Sequence, residues 1–161
     1  MTELITAGKA IRELEPESDW PDYAELLRVL HDGEISSGDA ASILERIARY
    51  PYYKIFLAAL PESGEIIGTF TLIVIDNLGH GGAGFAVVDN VVVTQDRHGQ
   101  GIGRWMMEQA MELAKKQGCY KLMLSSSLKR ERAHRFYEEL GFARHGHSFL
   151  IELQPDLKGR E

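Results

Sequence analysis

Hydrophobic residues recur at two spacings along this chain, and the change of spacing marks out its elements. Lys9 to Leu14 reads as a short first strand. Asp19 is expected to cap a helix with Pro21 in its first turn and Tyr23, Leu26, Leu27 and Leu30 along one face. Gly33 to Gly38 reads as a turn, and Asp39 as the cap of a second helix with Ile43, Leu44 and Ile47 on one side. Lys54 to Leu60 and Ile66 to Ile75 are β-rich runs, and Pro61-Glu62-Ser63-Gly64 between them is a hairpin signal.

A glycine-rich loop, Gly79 to Gly84, leads into a strand predicted over Phe85 to Thr94. Gly99-Gln100-Gly101-Ile102-Gly103 follows, and then a helix with Ile102, Trp105, Met106, Ala110, Leu113 and Ala114 at helical spacing. Gly118 ends it, and Tyr120 to Ser126 reads as another strand. Arg132 to Leu140 is predicted as a helix with Ala133, Phe136, Tyr137 and Leu140 on one face, closed by Gly141. Phe142 to Arg144 and Ser148 to Leu153 are expected to finish the chain as strands around a turn at Gly146.

The predicted order is β-α-α-β-β-β-α-β-α-β-β. A strand–helix–strand unit from Phe85 to Ser126 implies one parallel pairing, whereas the hairpins imply antiparallel pairing elsewhere. The expected class is therefore α/β, with a central mixed, mostly antiparallel sheet and helices on both faces.

Length and composition narrow the function more than the fold. At 161 residues the chain is expected to form a single domain, residues 1–161, and its 44% hydrophobic and 26% charged content is that of a soluble globular protein. A formal charge of −6 opposes a nucleic-acid partner, which needs a basic face. Mild acidity also suits a cationic small molecule or basic peptide, although it serves solubility equally well. Cys119 is the sole cysteine, so no internal disulfide forms and a reducing cytoplasm is the expected location. Met1 to Gly8 lacks the long apolar core of a leader, and runs such as Leu72 to Ile75 are too short to span a bilayer, so no membrane partner is expected.

The candidate chemistry lies between Val91 and Arg104. Backbone N–H groups at a helix start have no intrahelical partner, and the helix dipole adds partial positive charge there. Gly99, Gly101 and Gly103 permit close approach, so successive amides can wrap an anion such as a diphosphate. Taken alone, Gly-x-Gly-x-Gly is more often a turn that packs a helix on a strand. The spacing excludes a P-loop. A dinucleotide fingerprint also fails, because position 104 is Arg and the region some twenty residues on holds Cys119, Tyr120 and Lys121 rather than an acid. No Cys, His and carboxylate cluster has metal-ligand spacing, so no metal is expected.

Val91-Val92-Val93, followed by His98-Gly99-Gln100-Gly101-Ile102-Gly103 and later by Phe136-Tyr137 and Gly141-Phe142, resembles the GNAT superfamily of N-acetyltransferases. The resemblance is specific over Phe85 to Phe142. Within the superfamily, Asp89-Asn90-Val91-Val92-Val93 and Cys119-Tyr120-Lys121 resemble the glucosamine-phosphate N-acetyltransferase branch. His98 stands where the family usually has Arg or Gln, and Arg130 where it often has Asn.

The resemblance implies acetyl-CoA as cosubstrate and a small amine, such as an amino sugar phosphate, as acceptor. It implies that Val91, Val92 and Val93 pair with the pantetheine arm. The pyrophosphate would lie on His98, Gly99, Gln100, Gly101, Ile102, Gly103 and Arg104, and Arg130 would reach a CoA phosphate or remain a solvated loop residue. Tyr137 is the candidate general acid for the leaving thiolate, since a phenol titrates near ~10 and a thiol near ~8.5. Its spacing alone would make it a core aromatic. Asp89 is the candidate acceptor of the ammonium proton, with Asn90, His80 and His147 as residues able to orient the substrate. Trp20, Tyr50, Tyr52 and Tyr53 would line a small-amine pocket or serve core packing. A peptide acetyltransferase and a non-catalytic acyl-CoA sensor are the alternatives on the same fold. The apolar terminal run Phe149, Leu150, Ile151 and Leu153 implies a homodimer.

Overall fold

The computed structural model describes residues 4–6, 8–31, 40–151 and 153. The chain forms two compact units, Met1–Leu124 and Ser125–Glu161. The first contains β1 (Leu4–Thr6), β2 (Lys9–Glu13), α1 (Pro16–Leu30), α2 (Ala40–Ala48), β3 (Tyr53–Ala59), β4 (Ile66–Ile75), β5 (Phe85–Val93), α3 (Ile102–Lys116) and β6 (Leu122–Met123). The second contains α4 (Glu131–Glu139).

The six strands form one sheet in chain order, with β5 and β6 parallel and every other pair antiparallel. The central strands β3 and β4 are buried on both faces. Ile55 and Leu57 face Tyr23 of α1, joined by Trp20, Leu27, Leu44 and Ile47 from α1 and α2. Residues of the other parity look the opposite way: Phe56 pairs with Phe70 across the ladder, their rings stacked with centroids 5.1 Å apart. On that side Gly68 lets α3 approach closely. A Cβ added there would stand 2.8 Å from both the Met106 sulfur and the Val92 carbonyl oxygen. Burying each such Phe, Leu or Ile side chain contributes ~1.5–3 kcal/mol, which is why the two-sided sheet forms the core.

In β5 the alternation breaks. Thr71 pairs with Asp89 and Thr69 with Val92, so Asn90 and Val91 together oppose Phe70 as a β-bulge. Asn90 accordingly takes a left-handed φ of 50°. Beyond Val87 the strand has no further register with β6, whose pairing is confined to Ala86↔Leu122 and Val87↔Met123. The strand expected over Tyr120 to Ser126 is thus reduced to Leu122–Met123.

Three other expectations need correction. Helix α1 begins at Pro16 and not after Asp19. Glu15 is its N-cap, and Asp19, one turn in, reaches back to accept the Glu15 backbone N–H at 2.7 Å. Pro16 is the true first-turn signal, since its missing N–H costs nothing there. The short strand Leu4–Thr6 was not expected; it pairs antiparallel with β2, from Leu4↔Ile11 to Thr6↔Lys9. Phe142–Arg144 and Ser148–Leu153 form no strand among the described residues. Alternating apolar residues make a strand only when an edge pairs with them. The expected turn Gly33–Gly38 and the cap Asp39 lie outside the described residues.

In the second unit, α4 ends in a Schellman cap. Gly141, at φ 92°, donates to the Glu138 carbonyl (3.0 Å), and Phe142 donates to the Tyr137 carbonyl (3.0 Å).

Candidate active site

The path from β5 to α3 is held by polar contacts. Thr94 N–H donates to the Ile67 carbonyl at 3.0 Å, which turns the Val93 carbonyl away from β4 toward the open edge of the sheet. There the His98 Nε2 donates to it at 2.9 Å. The Val93 carbonyl, expected to meet an amide of the pantetheine arm, therefore already has a partner, whereas Val91 sits in the bulge without one in β4. Arg97, one place before the usual basic position, binds both carboxylate oxygens of Glu65 at 2.9 Å and lies 3.3 Å from Asp96. It ties the loop to the β3–β4 turn. Gln100 donates its side-chain amide to the Asp96 carbonyl at 3.2 Å.

Gly101 is the N-cap of α3, in the left-handed region at φ 75°, and no side chain caps the helix. The first-turn N–H groups of Ile102 and Gly103 thus meet no side chain from the N-cap residue. A Cβ at Gly99 or Gly101 would meet nothing within 4 Å, so there is open space beside both glycines. An uncapped helix start behind an open glycine loop fits a diphosphate. Ile102 is buried under the helix and supports the loop through packing, while Arg104 is exposed.

A second polar cluster surrounds the bulge. The Asp89 Oδ1 accepts the Asn90 backbone N–H at 2.9 Å, supporting the amide that the bulge removes from the ladder. The charge of this carboxylate is felt by Tyr23 of α1 and Tyr53 of β3. Burial pushes the Tyr23 phenol up to about 12, with the charges of Tyr53 and Asp89 adding to it and the Thr71 hydroxyl pulling the other way. Burial, then the Asp89 and Tyr50 charges, raises Tyr53 as well. Both phenols remain protonated at neutral pH and can act only as neutral groups beside Asp89. The last residue of the cluster is His31, directly after α1, whose Nε2 lies 3.3 Å from Asn90 Oδ1. The sequence reading missed it because the two are 59 positions apart.

Other expected residues are placed differently. His80 stacks on Tyr120 with ring centroids 4.1 Å apart, beside the start of β5, about 16 Å of strand from Asn90. Trp20 packs edge-on to Tyr23 at 6.1 Å in the core, while Tyr50 is largely exposed and stands 5.9 Å from Tyr53. Burial raises the Cys119 thiol, which makes it a poor nucleophile. No group of three or more His, Cys, Asp or Glu able to hold a metal occurs among the described residues, and no helix among them is long and apolar enough to cross a membrane.

In the second unit, Tyr137 is half-buried between aromatic rings, 5.1 Å from Phe136 and 5.8 Å from Phe142. Arg130 is the N-cap residue of α4, and its N–H donates to the Ser127 carbonyl at 2.9 Å. His147 is exposed.

Comparison with known proteins shows the family of the chain. A glucosamine 6-phosphate N-acetyltransferase of Trypanosoma brucei brucei is 30% identical over 154 residues, 95% of this chain and 100% of that protein. A solved chain from Agrobacterium tumefaciens strain C58 superposes with a TM-score of 0.81 at 31% identity, covering 89% of this chain and 99% of that one. A glucosamine-6-phosphate N-acetyltransferase of Arabidopsis thaliana shares the fold, with a TM-score of 0.75 at 22% identity over 91% of this chain and 99% of that one. Residues 12–142 match the Acetyltransferase (GNAT) family. The chain belongs to that family and is an acetyl-CoA-dependent acetyltransferase that acts on the amine of a small molecule.

Proposed function

We propose that the acceptor is an amino sugar phosphate of the glucosamine 6-phosphate type. The observation that carries this reading is the full-length similarity to the trypanosomal enzyme, together with Asp89-Asn90 at the β5 bulge and Cys119-Tyr120-Lys121 after α3. Residues 1–161 then act as one N-acetyltransferase domain, since the family match runs through both compact units.

In this reading the amides of Gly99 to Arg104 receive the pyrophosphate, and Val91 receives an amide of the pantetheine arm. Asp89 takes the ammonium proton so that the nitrogen lone pair can attack the thioester carbonyl. Tyr137 gives its proton to the departing thiolate. The apolar run from Phe149 to Leu153 is covered by a second copy of the chain. A single cysteine, Cys119, suits a reducing cytoplasm.

The test of the acceptor is a screen of primary amines with acetyl-CoA, following thiol release. Glucosamine 6-phosphate should give the highest kcat/KM, well above lysine-containing peptides. A peptide turned over faster than every amino sugar phosphate would sink this assignment while leaving the acetyltransferase itself standing.

A further inference from the structure

We propose that His31 is an acceptor-positioning residue: held by Asn90 at the β5 bulge, it helps to seat the amine substrate. The proposal rests on the reading that the acceptor is a small amine, and it adds a residue that no family motif marks.

The argument starts from the backbone. Asn90 is one of two non-glycine residues with positive φ, at 50°, among the described residues. A left-handed residue with a side chain costs ~1–2 kcal/mol, and asparagine bears it better than most. The bulge removes the Asn90 N–H from the ladder, and Asp89 Oδ1 accepts it at 2.9 Å. The backbone side of Asn90 is therefore satisfied locally, and its side chain is directed to α1.

His31 meets it there. Its backbone N–H closes the last turn of α1 on the Leu27 carbonyl at 2.9 Å, so the start of the side chain is fixed by the helix end. Its ring reaches Asn90 Oδ1 at 3.3 Å. An amide oxygen only accepts, so Nε2 carries the hydrogen, and in the neutral ring Nδ1 is left as the acceptor. Polar groups from α1 and β5 thus meet where the sheet's pairing is broken: His31 on the Asn90 side chain and Asp89 on the Asn90 N–H, with the Asp89 charge also felt by Tyr23 and Tyr53. Such convergence is what a site for a hydroxylated cation needs, with one negative charge for the ammonium and several fixed dipoles for its hydroxyls. A histidine that merely tied α1 to the sheet would affect stability and both substrates alike.

Steady-state kinetics of the full chain, with acetyl-CoA and glucosamine 6-phosphate each varied, separates the two roles. His31→Ala should raise KM for the amine about tenfold, roughly the worth of one hydrogen bond, and leave KM for acetyl-CoA within about twofold. Asn90→Gly keeps the left-handed backbone and removes the partner, so it should give a similar rise. The double variant should add little more. His31→Gln, which keeps a donor for Asn90, should recover most of the loss.

An unchanged amine KM in folded His31→Ala, or an equal rise for both substrates, overturns the proposal. If His31→Ala does not fold, Asn90→Gly decides by the same criterion. Should wild type turn over another amine better, that amine replaces the probe. A wild type that acetylates no primary amine sinks the functional reading and this proposal with it.

Discussion

The Phe142 N–H donates to the Tyr137 carbonyl at 3.0 Å, and the two rings lie 5.8 Å apart and nearly perpendicular. The cap that ends α4 is therefore also the device that fixes the candidate general acid, because the Gly141 turn brings Phe142 back over the tyrosine. Packing of this kind holds the ring in place. Tyr137→Phe should lower turnover by ~10²–10⁴ while acetyl-CoA affinity changes little, since the hydroxyl acts on charge that develops as the carbon–sulfur bond breaks. Turnover close to wild type, measured when chemistry is rate-limiting, would return Tyr137 to a purely structural role.

Gly101 offers a test of the anion site that does not depend on turnover. Its φ of 75° suits glycine, but aspartate is among the residues that tolerate this region, and a Cβ there meets nothing within 4 Å. Gly101→Asp should consequently fold and place a negative charge in front of the first-turn amides of α3. Calorimetry is expected to show acetyl-CoA affinity reduced by at least about a hundredfold. Unchanged affinity in the folded variant would mean that the diphosphate is held elsewhere.

How much of this was legible in the sequence depends on the range of the interactions. The strand Ile66–Ile75 and the start of α3 at Ile102 match the expectation, because a turn signal on one side and a glycine run on the other punctuate the pattern locally. The glycine loop was legible for the same reason. The role of His98 was not, since its ring turns back to Val93 only after the loop has folded. His31 was invisible because its partner is brought near by the sheet, and Gly68 because its need for close approach comes from Met106 on another element. The final strands failed in the opposite way: their residues have the pattern, but no edge receives them in the described chain.

That failure motivates a test of assembly. Phe149, Leu150, Ile151 and Leu153 are 92%, 84%, 82% and 78% exposed, an unusual cost for a lone chain in water. If a second copy covers them, sedimentation at micromolar concentration should give a mass near twice 18.1 kDa. Ile151→Lys should shift it to the monomer without lowering the stability of the first unit. An 18.1 kDa species for the wild type would remove the dimer.

Acid should destabilise the protein through one identifiable pair. Asp19 is buried, and Arg12 holds it with Nη2 at 2.8 Å from Oδ1 while Nη1 bonds the other oxygen. Hydrogen bonding from Arg12, then the Glu15 N–H, lowers its pKa below the ordinary 3.8, and burial opposes this only in part. A carboxylate with a lowered folded-state pKa stabilises the fold fully above its unfolded value and loses that contribution as pH falls through the folded one. Asp19→Asn should therefore cost about 2 kcal/mol at pH 7, less than a fully buried pair because Arg12 remains a quarter exposed. The gap between wild type and variant should begin to shrink as pH falls below about 4, where the carboxylate of the unfolded chain takes up its proton, and should close as the folded one follows at lower pH. Urea unfolding of both proteins at pH 7 and pH 3 measures it. A gap that stays constant between the two pH values would show that Asp19 stabilises α1 by shape alone and not by its charge.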